Sequence, residues 1–502
     1  MGVSLRRSPA WQLVLLAALG AVTTGAVVGR LLVTRGAPEV LAALLAVVAV
    51  ALLLRSVWVS FAGVVAVACL LPYATLPVGA SVTPALLELA LLTALAIVAA
   101  VLLVDRRQAL RTGGPQALVL GMVGVVVAAF LLGLGRGYTT QTLHDFFKFL
   151  LAIASFWIVV QLVTSTRAGR GLLWLLVVGT SGAAAIGLVL YAAGPGLTER
   201  VLVRLVPYGY PGGRIVRYIE DDPLRPMRAV GTGVDPNSYG GLLMVGFVLA
   251  VGQLVVRRRS MPVVLAGIAS VLCGSAMLLT YSRGAWVGAF AGVVLLVLLR
   301  RPRLLVPMGG AGVAAVALGL GAGFVERLWL GFTLQDPATK LRLDEYRNAL
   351  AIIREHPWFG VGFGDAPSIE LQAGVSSIYL TIAERAGLLG LLVFLIAVGV
   401  ILWRGLRSSW AESCDEDTDL TLCYTAAMGS ALAVGLVDHY FFNPQFPQMA
   451  TLFWVLAGAV VALVTPAGFA RSRQRVSSTE LNGVGVNRRL HNRRAATMSE
   501  GG

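Results

Sequence analysis

Apolar and polar positions fall in long blocks along this chain, without the short periods of a soluble fold. Uninterrupted apolar runs occupy about 10–29, 37–54, 56–77, 82–104, 116–134, 147–164, 171–194, 236–256, 261–281, 284–300, 303–323, 378–403, 420–442 and 447–466. Most approach the roughly 20 residues that a bilayer's hydrocarbon core asks of a helix. Backbone polar groups cannot go unpaired in hydrocarbon, so each run is expected to be helical. The pattern predicts an all-α polytopic transmembrane bundle of about 12–14 spans, with two longer polar loops that carry short helices. The expected organisation is N-terminal transmembrane helices over 1–194, a first large loop over 195–235 and central transmembrane helices over 236–323. A second large loop over 324–377, C-terminal transmembrane helices over 378–466 and a basic tail over 467–502 complete it. The tail is polar enough to be disordered, and basic enough to touch anionic lipid headgroups.

Composition agrees with this. Only 13% of the 502 residues are charged, about half the share of a soluble chain. A net charge of +15 would suggest nucleic acid in a soluble protein. Here the basic residues sit at the ends of apolar runs, where they read as topology signals, and no nucleic-acid partner is expected. Cys69, Cys273, Cys414 and Cys423 include no close ligand pair, so neither a disulfide framework nor a metal site is inferred. Arg6 and Arg7 precede an apolar stretch without a clear small-residue cleavage site, which favours a retained first helix over a removed signal.

The arginines orient the chain. Clusters at Arg106, Arg107 and Arg111, at Arg167 and Arg170, at Arg257, Arg258 and Arg259, at Arg300, Arg301 and Arg303, and at Arg404 and Arg407 all fall on one side if the N-terminus is inside. So do those of the tail, and both termini are then cytoplasmic. The two large loops face outward and yet are rich in arginine. Either an anionic ligand at the outer surface compensates, or neighbouring carboxylates do: Glu199, Glu220, Asp221, Asp222, Asp336, Asp344, Glu345 and Glu355.

Five stretches could carry chemistry. In Arg225–Leu243, Asp235 can cap a helix with Pro236 in its first turn, and Arg228 then sits above a helix N-terminus, a favourable phosphate site. In Tyr281–Gly288, Arg283 interrupts apolar sequence at a tight outer turn. It is either a snorkelling residue or a functional one. Leu341–Asp365 opens as an amphipathic surface helix with Arg342, and also Arg347, able to reach an anion. Its Gly360, Gly362 and Gly364 lack the strand and helix of a nucleotide loop and are read as a tight re-entry. In Val375–Gly390, Ser376 or Ser377 can cap a helix in which Glu384 and Arg385 are either interfacial charges or part of the bundle. In Val437–Pro447, Asp438 and His439 are either an acid–base pair or interfacial side chains. The acidic run Asp415, Glu416, Asp417 and Asp419 is read as a solvated inner loop.

Taken together and in order, GTGVDPNSYG, SRGAW, RLDEYRNALAIIREHPWFGVGFG and SSIYLTIAERAGLLG resemble the O-antigen ligase and polymerase family of bacterial membrane proteins. The HDFFKFL stretch around Lys148 and LFWVLAG around Phe453 fit as well. The resemblance implies a glycosyltransferase that works without metal or other cofactor on the outer face of the plasma (inner) membrane. Its donor would be a glycan on a polyprenyl pyrophosphate such as undecaprenyl pyrophosphate, destined for O-antigen, capsule or exopolysaccharide of the cell envelope. Its partners would be that lipid-linked oligosaccharide, membrane lipid and other polysaccharide assembly proteins. Carried over by position, Arg228, Arg283 and Arg342 bind the pyrophosphate, supported by Arg347, Ser376 and Tyr379. Ligases of this family often carry a histidine three residues before the tyrosine of the YL pair, and this chain has Ser376 there, before Tyr379. That departure tilts the expectation towards a polymerase and leaves the general base to be found among Glu384, Asp438 and His439. The leaving pyrophosphate itself is a further alternative.

Other function classes remain open from sequence: a transporter of a small anion such as bicarbonate, or an inactive scaffold in a polysaccharide assembly complex. A transporter would place ionisable residues near the bilayer midplane, whereas here they gather towards one face. The orientation is directly testable. A single cysteine placed at Gly213 or Gly374 should react with an impermeant reagent on intact cells, and labelling only after the membrane is breached would reverse the topology.

Overall fold

The computed structural model describes residues 56–75, 83–105, 109–135, 137–317, 337–364, 375–410 and 415–465. The spans expected at 10–29 and 37–54 and the basic tail lie outside the described residues. The chain divides into two compact units, Met1–Ser60 and Phe61–Gly502. Of the first, residues 56–60 are described and open helix α1 (Val57–Leu70).

The second unit continues with α2 (Leu86–Val104), α3 (Gly114–Leu132), α4 (Thr140–Leu162), α5 (Thr166–Ala192) and the short α6 (Pro195–Val203). Then come α7 (Pro236–Val255), α8 (Val263–Leu279), α9 (Arg283–Arg300), α10 (Leu305–Ala317) and α11 (Pro337–Glu355). The last are α12 (Ile378–Ser409), α13 (Glu416–Val434) and α14 (Pro447–Val464). Among the described residues there is no strand, only the isolated bridges Thr75–Ala85 and Tyr218–Met227. Eight of these helices, α2, α3, α4, α5, α7, α9, α12 and α14, are long and apolar enough to cross a membrane, and each coincides with an expected span. The chain is a multi-pass membrane protein with an all-α helical bundle. The remaining apolar runs within the described residues are also helical, as α1, α8, α10 and α13. The two large loops carry α6 and α11.

Packing is densest around α7, α13 and α14, whose side chains are almost all buried. Helix α4 lies along α14, α7 packs on α8 and α9, α9 packs on α13, and α3 packs on α12. Lipid tails give helices no hydrophobic reason to associate, so close approach through small residues has to do it. A methyl group on Gly458 would stand 3.0 Å from the Val159 side chain, and one on Gly292 would run into Ser430. Polar side chains inside the bundle turn back onto their own helices: the hydroxyls of Thr180, Thr425 and Ser430 donate to the carbonyls of Leu176, Thr421 and Ala426. No hydroxyl among these three is left unpaired in an apolar setting.

Charge gathers at the two ends of the bundle. At the end holding the C-termini of α4, α7 and α9, Arg111 donates to the carbonyls of Val160, Val163 and Ala462. Arg170 forms a forked pair with Glu416. At its centre Arg300 Nε meets Asp419 at 2.6 Å, with the two side chains 6% and 0% exposed. Asp419 also accepts the backbone N–H groups of Arg257 and Arg258, at 3.1 and 2.7 Å, and Arg300 donates onward to the Ser409 carbonyl. The expectation of a solvated acidic loop is therefore corrected. Asp415 caps α13 by accepting from the Thr418 N–H, and Glu416 and Asp419 bind arginines from other helices. A sequence reader sees four acids in a short loop. The structure starts a helix among them, which puts Asp419 one turn inside the bundle, where a lone carboxylate would be very costly without Arg300.

Removing one partner of a buried ion pair strands the other, at a cost of about 3–5 kcal/mol. Asp419→Ala or Arg300→Ala should therefore lower the thermal midpoint of the purified protein markedly, and more than Arg170→Ala at the half-exposed pair. Equal midpoints for the three variants would show that the buried pair contributes nothing particular.

Candidate active site

The opposite end of the bundle is built from the N-termini of α7, α9, α12 and α14, the C-termini of α5, α8 and α13, and the two large loops. The chain crosses between α8 and α9 in three residues, Thr280 to Ser282, with Tyr281 forced to a φ of 53°. Such a turn leaves carbonyls of α8 without intrahelical partners. The first loop supplies two of the missing donors. The Ala229 N–H bonds the Leu279 carbonyl at 2.8 Å, and Arg228 Nε bonds the Thr280 carbonyl at 2.7 Å. The same guanidinium reaches Asn237 Oδ1 with Nη2 at 2.7 Å. Asn237 lies in the first turn of α7, which Asp235 caps by accepting the Ser238 N–H, with Pro236 leading the helix as expected. Arg228 is thus clamped between a helix N-terminus and the turn whose next helix begins with Arg283.

The second loop delivers α11. Its Tyr346 hydroxyl lies 3.0 Å from the Ser376 carbonyl and 3.3 Å from that of Leu436. One tether therefore fixes α11 both to the start of α12 and to the end of α13. Four residues earlier, Arg342 Nη2 stands 3.8 Å from Asp438 Oδ2. Asp438 is 6% exposed, and its Oδ1 accepts the His439 backbone N–H at 2.9 Å. Burial pushes its carboxyl above the usual carboxylate range, Asp235 adds to that rise, and His439 and Arg342 pull against it. His439 Nδ1 stands 3.7 Å from the same oxygen. Ser376 donates twice to Glu345 Oε2, from its hydroxyl at 2.7 Å and its N–H at 3.0 Å.

Ser377, rather than Ser376, occupies the N-cap position of α12, but it makes no capping bond, and its hydroxyl goes to the Gly435 carbonyl. The helix then breaks at Gly387, where φ is 73° and ψ 180°. Three bonds to the segment after α11 take over there. Leu388 N–H donates to Pro357, and the carbonyls of Glu384 and Arg385 accept from Val361 and Gly362. Gly360 at φ 66° and Gly362 at φ 78° allow that approach, and a methyl group on Gly360 would collide with the Glu384 carbonyl. The glycines thus serve a tight re-entry, and Arg385 donates to the carbonyls of Gly362 and Gly364.

The expected site residues therefore separate. Arg342, Asp438, His439 and Ser376 gather around Tyr346. Arg228 is joined to the turn that carries Arg283. Glu384 is 2% exposed behind the 360–362 turn, and among the described residues its Oε1 has no hydrogen-bond partner. Arg347 pairs with Asp344 at 3.0 Å on the exposed side of α11, and the Tyr379 hydroxyl bonds the Leu432 carbonyl. Neighbouring carboxylates do absorb part of the loops' arginine excess, with Arg225 on Glu220 and Asp222, and Arg217 on Asp221. Asn237 and Tyr346 had no assigned role in the sequence, and Glu345 figured only among the carboxylates that could offset the loop arginines. The spacing of Arg342, Glu345 and Tyr346 at three and four residues was the available signal, since it puts them on one helical face. Among the described residues no group of three or more His, Cys, Asp or Glu is arranged to hold a metal ion.

Comparison with known proteins meets this geometry at the same elements. Residues 268–395 match the family model described as O-antigen ligase. Over those residues the chain is similar to the O-antigen ligases. That match runs from α8 through the Arg283 turn and α11 to the middle of α12. An O-antigen ligase of Pseudomonas aeruginosa is 26% identical over 268 residues, covering 52% of this chain and 62% of that protein. The aligned region thus spans less than two thirds of that relative. A solved chain described under structural coordination of polymerization and crosslinking by a peptidoglycan synthase complex aligns with 69% of this chain and 96% of its own. Its identity is 17% and its TM-score 0.42, too remote to bear on fold or function. The similarities therefore concern the O-antigen ligase family over part of the chain, centred on residues 268–395.

Replacing Tyr346 by Phe keeps the ring and removes the tether, a loss of about 1 kcal/mol. Amide exchange in α11 should quicken while that of α7 and α14 stays unchanged. Unaltered exchange in α11 would mean that something else holds the helix in place.

Proposed function

We propose that this chain polymerises or ligates a polyprenyl-pyrophosphate-linked glycan on the outer face of the plasma membrane, with both termini cytoplasmic. The observation that carries the reading is the pairing of two arginine-bearing loops at one end of the bundle. Arg228 is held at the N-terminus of α7 and Arg342 at Asp438. The opposite end holds Arg111, Arg170, Arg257, Arg258 and Arg300, which is the asymmetry expected if that end is cytoplasmic.

The chemistry asks for little beyond charge and position. An acceptor hydroxyl oxygen bonds to the anomeric carbon of the donor sugar. The bond from that carbon to the pyrophosphate oxygen breaks, and the electron pair leaves with the pyrophosphate. Arg228, Arg283 and Arg342 are the groups proposed to bind it. A guanidinium presents paired N–H donors in a plane that matches phosphate oxygens and keeps its charge throughout. A helix N-terminus beside Arg228 adds to the positive field. Donors aimed in advance at the charge that develops on a leaving group typically contribute 10²–10³ in rate each. The Pseudomonas relative is an O-antigen ligase, and Ser376 in place of the ligase histidine favours polymerisation here.

The test is polymer synthesis in membranes containing each variant at normal protein level. Arg228→Ala, Arg283→Ala and Arg342→Ala should each lose about 10²-fold or more. Lysine at the same positions should restore only part, because it keeps the charge without the fork. Full polymer from all three alanine variants would reject the pyrophosphate site.

A further inference from the structure

We propose that Glu345 is the base that takes the acceptor hydroxyl's proton, held in place by Ser376. The inference rests on the glycosyl-transfer reading of the same site and assigns a proton acceptor within it.

The carboxylates at this end of the bundle are not equivalent. Asp235 is committed to the N-cap of α7. Asp438 is buried and faces Arg342 and the His439 N–H. Glu384 is buried in α12 behind the 360–362 turn. Asp344 points to the exposed side and pairs with Arg347. Glu345 differs from all four. It is partly exposed, so a substrate can reach it and a captured proton can leave to water. Two donors from Ser376 fix its orientation, and both go to Oε2, so among the described residues Oε1 accepts no hydrogen bond. A base has to lie within hydrogen-bond reach of the proton it takes and hold its own geometry while doing so.

Its position relative to Arg342 completes the case. The two residues are three apart on α11, which puts their Cβ atoms roughly 5–6 Å from each other on one face. Tyr346, the next residue, locks that face against α12 and α13 through the Ser376 and Leu436 carbonyls. One helix therefore presents, on one face, a cation for the leaving group and a carboxylate for the nucleophile. The step balances without another reagent. The acceptor oxygen forms the bond to the anomeric carbon, and the bond to the pyrophosphate oxygen breaks with its electron pair. The hydroxyl proton moves to Glu345 and then to solvent. Ser376 is the positioning residue: its two donors to one oxygen hold the carboxylate's orientation.

The substrate for the test is the lipid-linked oligosaccharide that accumulates in cells lacking this chain, extracted and incubated with purified protein in detergent. Glu345→Gln keeps the shape and still accepts both Ser376 bonds, so it should fold with an unchanged thermal midpoint. Its turnover should fall by about 10²-fold or more, the usual contribution of a general base. A general base predicts a wild-type rate that declines on the acid side, and Glu345→Gln should lack that decline. Glu345→Asp should recover part of the rate. Ser376→Ala should lower kcat with KM and the thermal midpoint little changed, and Ser376→Thr, which keeps the hydroxyl, should recover part of it, a split that a merely structural serine would not cause. Turnover of Glu345→Gln within about threefold of an active wild type, far short of a base's 10², would overturn the assignment and leave glycosyl transfer standing. A wild-type protein that makes no glycosidic bond from the extract would overturn both.

Discussion

Hydrocarbon offers no partner for a polar group, and every feature of this protein answers that constraint. Inside the bundle the answer is self-sufficiency: backbone bonds close within helices, and hydroxyls such as Thr180 and Ser430 turn back on their own turns. Helices can then approach only where side chains are small, as at Gly292 and Gly458. Charged chemistry is driven to the two ends, where helices begin and stop and where loops can supply partners. The location of a reactive site is thus settled by the solvent before any particular residue is considered.

The two ends use arginine differently. At the end of Arg111, Arg170 and Arg300, each guanidinium is fastened to carbonyls or carboxylates at 2.6 to 3.4 Å. These are joints between helices. Asp419 ties α13 to α9 and to the chain that follows α7, and Glu416 ties it to α5. At the other end Arg342 stands 3.8 Å from the Asp438 carboxylate, and Arg228 donates to a neutral amide and to a carbonyl. Neutral acceptors fix a guanidinium's direction, and the 3.8 Å pair of Arg342 is looser than the 2.6 Å pairs of Arg170 and Arg300. That is the arrangement an anion needs, since a cation already neutralised in a tight pair would have to be released before it could bind one.

Much of this was legible in the sequence because hydrophobic length is a strong signal. The eight long apolar helices lie where apolar runs predicted them, and Asp235 caps α7 as the DPN triplet suggested. The short turn around Arg283 and the amphipathic α11 were legible too. What escaped was decided by pairing across distance. Asp419 looked solvated, because its partner Arg300 lies 119 residues away and nothing local announces a buried pair. Glu345 looked like one more surface acid, because Ser376 meets it from 31 residues further along the chain and nothing local announces that contact. Glu384 drew attention by its place near the start of α12, yet the break at Gly387 and the 360–362 turn bury it.

That break is what makes the site possible. An unbroken α12 would spend the carbonyls of Glu384 and Arg385 on its own next turn. With Gly387 at positive φ, those carbonyls accept from Val361 and Gly362, and Leu388 donates to Pro357. The segment after α11 is thereby bonded to the middle of α12, and Tyr346 bonds the centre of α11 to its beginning. A surface helix held at two points cannot slide or roll freely, so Arg342 and Glu345 keep a fixed station above Asp438 and Ser376. Glycine at a single position converts what would be an ordinary span into a mounting for the helix that carries the charged side chains. Rigid placement of that kind is what lets a site act through position and charge.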